Sequence, residues 1–205
     1  MRILSSTSND HGLLRGATPV AAPLERTPSI VCMPLPDGIV MRPAQTQDAD
    51  VIGELTVQAY LDGGHMPADS PYVETLRNVA PRLAESLVLT EESTGEIIAT
   101  IAALPHSHAM AEATREDEWE FRYLAVRQDT WGRGLGRTLI EAVEKQAREA
   151  GASHLVLRVV DNNPRAQRLY EHLGYTHLPE RDITFESSSH PGRMITLLLY
   201  SKPLN

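Results

Sequence analysis

Residues 131–140 read WGRGLGRTLI, with glycines at 132, 134 and 136 and arginines at 133 and 137. Glycine costs roughly 0.5–1 kcal/mol against alanine in regular structure, so three of them ahead of an apolar run need a reason. Close approach of a phosphate is one. The first turn of a helix leaves four N–H groups without partners and carries about +0.5 elementary charge. Gly132, Gly134 and Gly136 would let oxygens reach those groups, and Arg133 and Arg137 would add charge. Two common phosphate signatures fail on the residues. A G-x-G-x-x-G fingerprint begun at Gly132 needs glycine where Arg137 stands. A P-loop needs glycine at Trp131 and lysine at Arg137. Two readings are left: a strand–turn–helix site for a pyrophosphate, or a tight turn with solvated arginines.

Other residues could do chemistry. In the segment WEFRYLAV and just before it, alternation puts Glu118, Glu120, Arg122 and Leu124 on one strand face. A glutamate there can take a proton or simply be solvated. His106 and His108 suggest a metal, but no further ligand follows at suitable spacing, so solvated loop histidines fit as well. Tyr170 shares a helix face with Ala166, Leu169 and Leu173, which suits a core residue. Cys32 is the single cysteine, so no internal disulfide forms, and it lies in a tail that makes it a poor nucleophile.

The elements that must position these groups follow from pattern. Residues 1–37 are rich in Pro, Ser, Thr and Gly without a sustained period, and are expected to be an irregular N-terminal extension. Residues 38–205 form the globular domain. IVMRPA is a strand, and residues 46–64 are a helix with Asp48 and Asp50 in its first turn. YVETLRNVAPRLAESL is a second helix, bent or split at Pro81. LVLTEESTGEIIATIAAL is a hairpin, residues 105–117 are a long loop, and a strand runs from about Trp119 to Val126. The helix after the glycines carries Leu135, Leu139, Val143 and Ala147 on one stripe and ends at Gly151. HLVLRVV reads as a central strand. Asn163 and Pro164 start a last helix, which Gly174 ends, and RMITLLLYSKPL closes the chain as a strand. The order (strand, helix, helix, three strands, helix, strand, helix, two strands) predicts one mixed α/β domain.

Composition narrows the partners. The 205 residues are 41% apolar and carry a formal charge of −8, which argues against nucleic acid and is compatible with an amine. No apolar run approaches the ~20 residues of a membrane span, and the N-terminus has no signal-peptide core. The protein is therefore expected to be cytoplasmic, without nucleic-acid or membrane partners; a homodimer is compatible with the sequence.

Two segments together resemble the GNAT superfamily of acyl-CoA-dependent N-acyltransferases. LAVRQDTWGRGLGRTLIEAV is similar to its strand, pyrophosphate loop and helix, and NNPRAQRLYEHLGY to its N-x-x-A-x-x-L-Y-x-x-x-G-F/Y segment. EFRYLAV, RLYEHLGY and PERD also resemble a bacterial, chiefly actinobacterial, group of undefined substrate. Trp131 departs from the Gln or Arg usual at that point of the loop.

The resemblance implies an α+β fold with a mostly antiparallel sheet splayed at the cofactor cleft and about four flanking helices. It implies an N-acetyltransferase using acetyl-CoA and a primary amine, with no metal. The backbone of Leu124, Ala125 and Val126 would hold the pantetheine. Gly132, Arg133, Gly134, Leu135, Gly136, Arg137 and Thr138 would hold the pyrophosphate, and Asn163 would line the cleft. Tyr170 matches the tyrosine that faces the CoA sulfur, and Glu120 matches a glutamate that some members use as base, with Glu118, His106 and His108 as alternatives. A module that binds or senses acyl-CoA without turnover is the other reading.

Overall fold

The computed structural model describes residues 35–64, 66–112, 114–187 and 190–204. Cys32 and most of the expected extension lie outside the described residues. Where description begins, Leu35 already packs on the largest apolar cluster.

Strand β1 (Ile39–Pro43) leads through a 3-10 turn at Thr46–Asp48 into helix α1 (Ala49–Asp62). Asp48 fixes that entry. It accepts from the Gln45 N–H at 2.7 Å and pairs with Arg42, whose hydrogen bond holds its carboxyl below the usual range despite burial. Helix α2 (Tyr72–Arg77) lies so close to α1 that a Cβ on Gly53 would stand 2.6 Å from the Arg77 carbonyl oxygen, so only glycine fits. The expected second helix is split. Its latter half is a 3-10 segment, Ala80–Glu85, because Asn78 turns extended and Pro81 follows.

Strands β2 (Ser86–Glu91) and β3 (Ile97–Pro105) form the expected hairpin, and β4 (Glu118–Val126) follows the long loop. Helix α3 (Leu135–Glu149), strand β5 (His154–Val160) and helix α4 (Pro164–His172) come next. Short strands β6 (Thr176–His177) and β7 (Ile183–Glu186) then precede β8 (Met194–Pro203). Among the described residues the sheet has eight strands, one more than the expected order, and β6, only two residues long, is too short for any periodicity.

The sheet runs β1-β2-β3-β4-β5-β8-β6, with β7 also paired to β8. All pairings are antiparallel except β4 with β5. One face packs on α3 and α4. Leu135, Leu139, Val143 and Ala147 are all buried there as the spacing predicts, with Ile101, Phe121, Leu157 and Tyr170. The other face packs on α1 and α2 through Val57, Leu76, Ala102, Leu104 and Tyr123. Among the described residues no helix is long and apolar enough to cross a membrane.

Candidate functional site

Strands β4 and β5 pair over three positions only, the last being Glu120 with Val156. Beyond it β4 runs six residues on to Val126 and β5 four on to Val160, and the two part. A parallel pair is held by an evenly spaced hydrogen-bond ladder, so ending it leaves backbone N–H and C=O groups facing an open gap. A bulge in β4 widens the irregularity. Thr100 pairs with Ala125 and Ala102 with Arg122, so Tyr123 and Leu124 together oppose Ile101. Tyr123 has φ +58°, left-handed and rare for an aromatic residue. The bulge also corrects the expected alternation. Leu124 packs with Phe121 on the α3 side, whereas Arg122 and Tyr123 both face α1 and α2.

The glycine stretch stands at the open end of this gap. Trp131 fixes it, donating from its indole Nε1 to the Val126 carbonyl at 2.9 Å while the Arg165 guanidinium lies 3.8 Å over its ring. Thus the position that departs from the family pattern ties the loop to both β4 and α4. Gly132 and Gly134 have φ of +87° and +78°, with open space where a Cβ would be. Gly134 is the N-cap of α3, and among the described residues no side chain caps it. The N–H groups of Leu135, Gly136 and Arg137 therefore have no earlier helical carbonyl to bond. Thr138 is the first to do so, at 3.0 Å from the Gly134 oxygen. A Cβ on Gly136 would meet Leu169 and Val126 at 3.7 Å, which places it against the gap wall. Arg133 is 3.3 Å from Glu91 and Arg137 2.6 Å from Glu141, both exposed enough to exchange partners.

Helix α4 begins as its sequence predicts. The Asn163 side chain accepts from the Ala166 N–H at 3.0 Å, with Pro164 at the first helical position. Its Oδ1 is thus a cap, which leaves the amide N–H₂ to meet anything in the cleft. The cap sets the pitch that brings Tyr170 inward. The Tyr170 ring meets Phe121 edge-on at 5.7 Å, and Phe121 is the first β4 residue past the last β5 pair. Tyr175 and Tyr200 complete the aromatic surround. Tyr170 is 6% exposed, its hydroxyl has no hydrogen-bond partner among the described residues, and burial pushes the phenol up, so it keeps its proton at neutral pH.

The carboxylates separate into different roles. Glu118 is buried in a bidentate pair with Arg181 at 2.7 and 2.9 Å and accepts from the Arg115 N–H. Burial alone would raise it, but these partners bring it below the ordinary carboxylate range. Glu120 is 1% exposed, accepts from the Glu112 N–H at 2.8 Å and lies 3.8 Å from Arg122. It borders the gap because its pair with Val156 is the last. His106 bonds Thr114, and His108 accepts from the Met110 N–H, both out on the loop. Among the described residues no three His, Cys, Asp or Glu gather as a metal site would need.

Sequence reasoning passed over Tyr60, Tyr72, Arg82, Arg158 and Arg181. A lone arginine inside the apolar run HLVLRVV was the one available signal, for Arg158. No local pattern marks the others.

The geometry is therefore a strand gap with an uncapped helix N-terminus at one end, a protonated phenol beside its start and a buried carboxylate at its edge. The model of the acetyltransferase (GNAT) family matches residues 55–175, more than half of the chain. Solved structures are similar over a larger share of the chain. The yncA protein from Salmonella typhimurium, solved with its cofactor acetyl-CoA, is 21% identical with a TM-score of 0.60, covering 82% of this chain and 95% of its own. The ribosomal-protein-S18-alanine N-acetyltransferase from Escherichia coli is 19% identical at TM-score 0.59, covering 82% and 94%. A GCN5-related N-acetyltransferase from Kribbella flavida is 19% identical at TM-score 0.60, covering 82% and 99%. At these identities the likeness is one of fold.

Proposed function

The chain belongs to the acetyltransferase (GNAT) family, and from that premise we propose that it moves an acetyl group from acetyl-CoA to a primary amine by direct attack within a ternary complex. The observation that carries this is the β4–β5 gap, with the uncapped N-terminus of α3 at its open end and Tyr170 beside its start. The backbone of Leu124, Ala125 and Val126 orients the pantetheine arm and polarises the thioester carbonyl. The turn Gly132-Arg133-Gly134 and the N–H groups of Leu135, Gly136 and Arg137, with the Thr138 hydroxyl behind them, bind the pyrophosphate. The Asn163 amide lines the arm.

The chemistry balances without a covalent enzyme intermediate. Glu120 takes a proton from the incoming ammonium, directly or through a water, and frees its lone pair. The amine nitrogen forms the new C–N bond as the C–S bond breaks, and the second proton of that nitrogen passes to water. Tyr170 gives its hydroxyl proton to the departing thiolate and is restored from solvent. Glu118 is not the base in this account, because its bidentate pair with Arg181 holds it ionised and occupied. We place the protein in the cytoplasm, where acetyl-CoA is made and used. The test is thiol release from acetyl-CoA across a panel of amines. Turnover with at least one amine supports the reading; acetyl-CoA binding with no release from any of them leaves a binding module instead.

A further inference from the structure

Four arginines crowd the sheet face opposite α3, and three of them are occupied. Arg181 is paired with Glu118. Arg82, 1% exposed, gives its guanidinium to the carbonyls of Thr75, Leu76 and Asn78 and lies 4.1 Å over the Tyr123 ring. Arg122 is 2.8 Å from Glu112, 3.8 Å from Glu120, and donates to the Met110 carbonyl. Arg158 is different. Its hydrogen bond is from Nη1 to the Arg181 carbonyl at 3.0 Å. No carboxylate lies within ion-pair distance among the described residues, and its Nε is buried without a partner.

That pattern leaves one edge of the guanidinium free. Nη1 is used, while Nε and Nη2 point along the edge that suits the two oxygens of a carboxylate. Burial lowers the Arg158 pKa, and Glu120, Asp182 and Glu112 oppose that from a distance, yet a guanidinium stays charged at any physiological pH. A buried N–H of a charged group is rarely left without an acceptor in a folded protein, and a bound ligand is one of the explanations.

Position says which ligand. Arg158 follows Val156, the last β5 residue paired to β4, by two residues, so both side chains share the face of Glu120. That is the mouth of the gap on the side away from α3 and α4. The apolar cluster on that sheet face holds Tyr60, Tyr72 and Tyr123, and burial raises the phenols of Tyr60 and Tyr72, so neither is a phenolate that would compete for the cation. We propose that Arg158 receives the carboxylate of the acceptor through Nε and Nη2, so that the amine acetylated is a small amine bearing a carboxylate, such as a free amino acid. This rests on the acetyltransferase reading.

The experiment compares free amino acids with their amides, using wild type, Arg158→Gln and Arg158→Lys. Both variants are first melted to confirm folding. In thiol release, wild type should prefer an acid over its amide by roughly 30-fold or more in kcat/KM, the range for a desolvated charge pair. Arg158→Gln should erase that preference through KM with kcat little changed, and Arg158→Lys should keep part of it. Amides turned over as well as acids, amines without a carboxylate preferred, or an unchanged ratio in Arg158→Gln would overturn the proposal. Calorimetry with the same acids and amides separates the two readings. If acetyl-CoA does not bind, the acetyltransferase reading falls, while acid-specific binding lost in Arg158→Gln still supports the anion site and its absence overturns it.

Discussion

The two faces of the sheet are built from different materials around one gap. On the α3 and α4 side the cluster is continuous and mostly apolar and aromatic, with the buried Glu144 paired to Lys202 at its edge, and Tyr170 has only rings and burial around it. On the α1 and α2 side the same strands carry Glu118, Glu120, Arg122 and Arg158, with Arg82 and Arg181 reaching in from outside the sheet. The first side is a scaffold that local pattern can specify, and it suits a ligand held by backbone groups. The second is a set of arginines and carboxylates with the long-range Glu118–Arg181 pair among them, and it suits discrimination among polar acceptors. The chemistry we propose needs both, because the reacting carbonyl must sit where the strands part.

The largest expected effect comes from the apolar side. Tyr170→Phe keeps the ring contacts with Phe121 and Tyr175 and removes the hydroxyl. Turnover should fall by roughly 10²–10⁴-fold, as for a lost general acid. Acetyl-CoA affinity and the thermal melt should change little, read by steady-state thiol release beside a melt. Wild-type turnover in the folded variant would make Tyr170 a packing residue only.

On the polar side, Glu118→Gln should act on stability instead. Breaking a buried ion pair costs about 3–5 kcal/mol because the Arg181 charge loses its bidentate carboxylate. The pH dependence has a definite sign. The folded-state pKa of Glu118 is depressed, so its contribution is present above the unfolded value of about 4.3 and is lost as pH falls through the lower folded value. Acid titration of wild type should show this loss below the ordinary carboxylate range, and Glu118→Gln should lack it. An identical acid profile in the two proteins would contradict the assignment.

A third comparison uses the two ends of α3. Gly134 precedes it at φ +78° and Gly151 follows it at φ +85°, and a side chain at either would find open space. Valine at each should cost a similar amount, about 1–3 kcal/mol of backbone strain. Acetyl-CoA stabilisation, however, should disappear in Gly134→Val and persist in Gly151→Val. Loss in both, or in neither, would mean that the glycine stretch is a turn and nothing more. The smallest effect is at Trp131. Trp131→Phe keeps a ring for Arg165 and loses the bond to the Val126 carbonyl, about 1 kcal/mol, visible in the melt with turnover nearly intact.

These contrasts also explain what the sequence could disclose. The stripe on α3, the Asn163 cap and the open turn at Gly134 depend on neighbours within a few residues, so spacing alone predicts them. The bulge does not, because no residue type at 122–124 announces a left-handed tyrosine, and its consequence for Leu124 is invisible to an alternation argument. The ion pairs are equally hidden. Glu118 finds Arg181 across 63 positions, and nothing local marks either partner. Strands β6 and β7 are short and lie on the β8 edge, where tertiary pairing rather than hydrophobic period defines them.

The most direct test of the account is the melting temperature of the full chain with acetyl-CoA, NAD or ATP at equal concentrations. The uncapped N-terminus of α3 beside the strand gap predicts stabilisation by acetyl-CoA alone, about 2.7 kcal/mol at a hundredfold excess over its dissociation constant. Equal shifts with NAD or ATP, or no shift with acetyl-CoA, would contradict it.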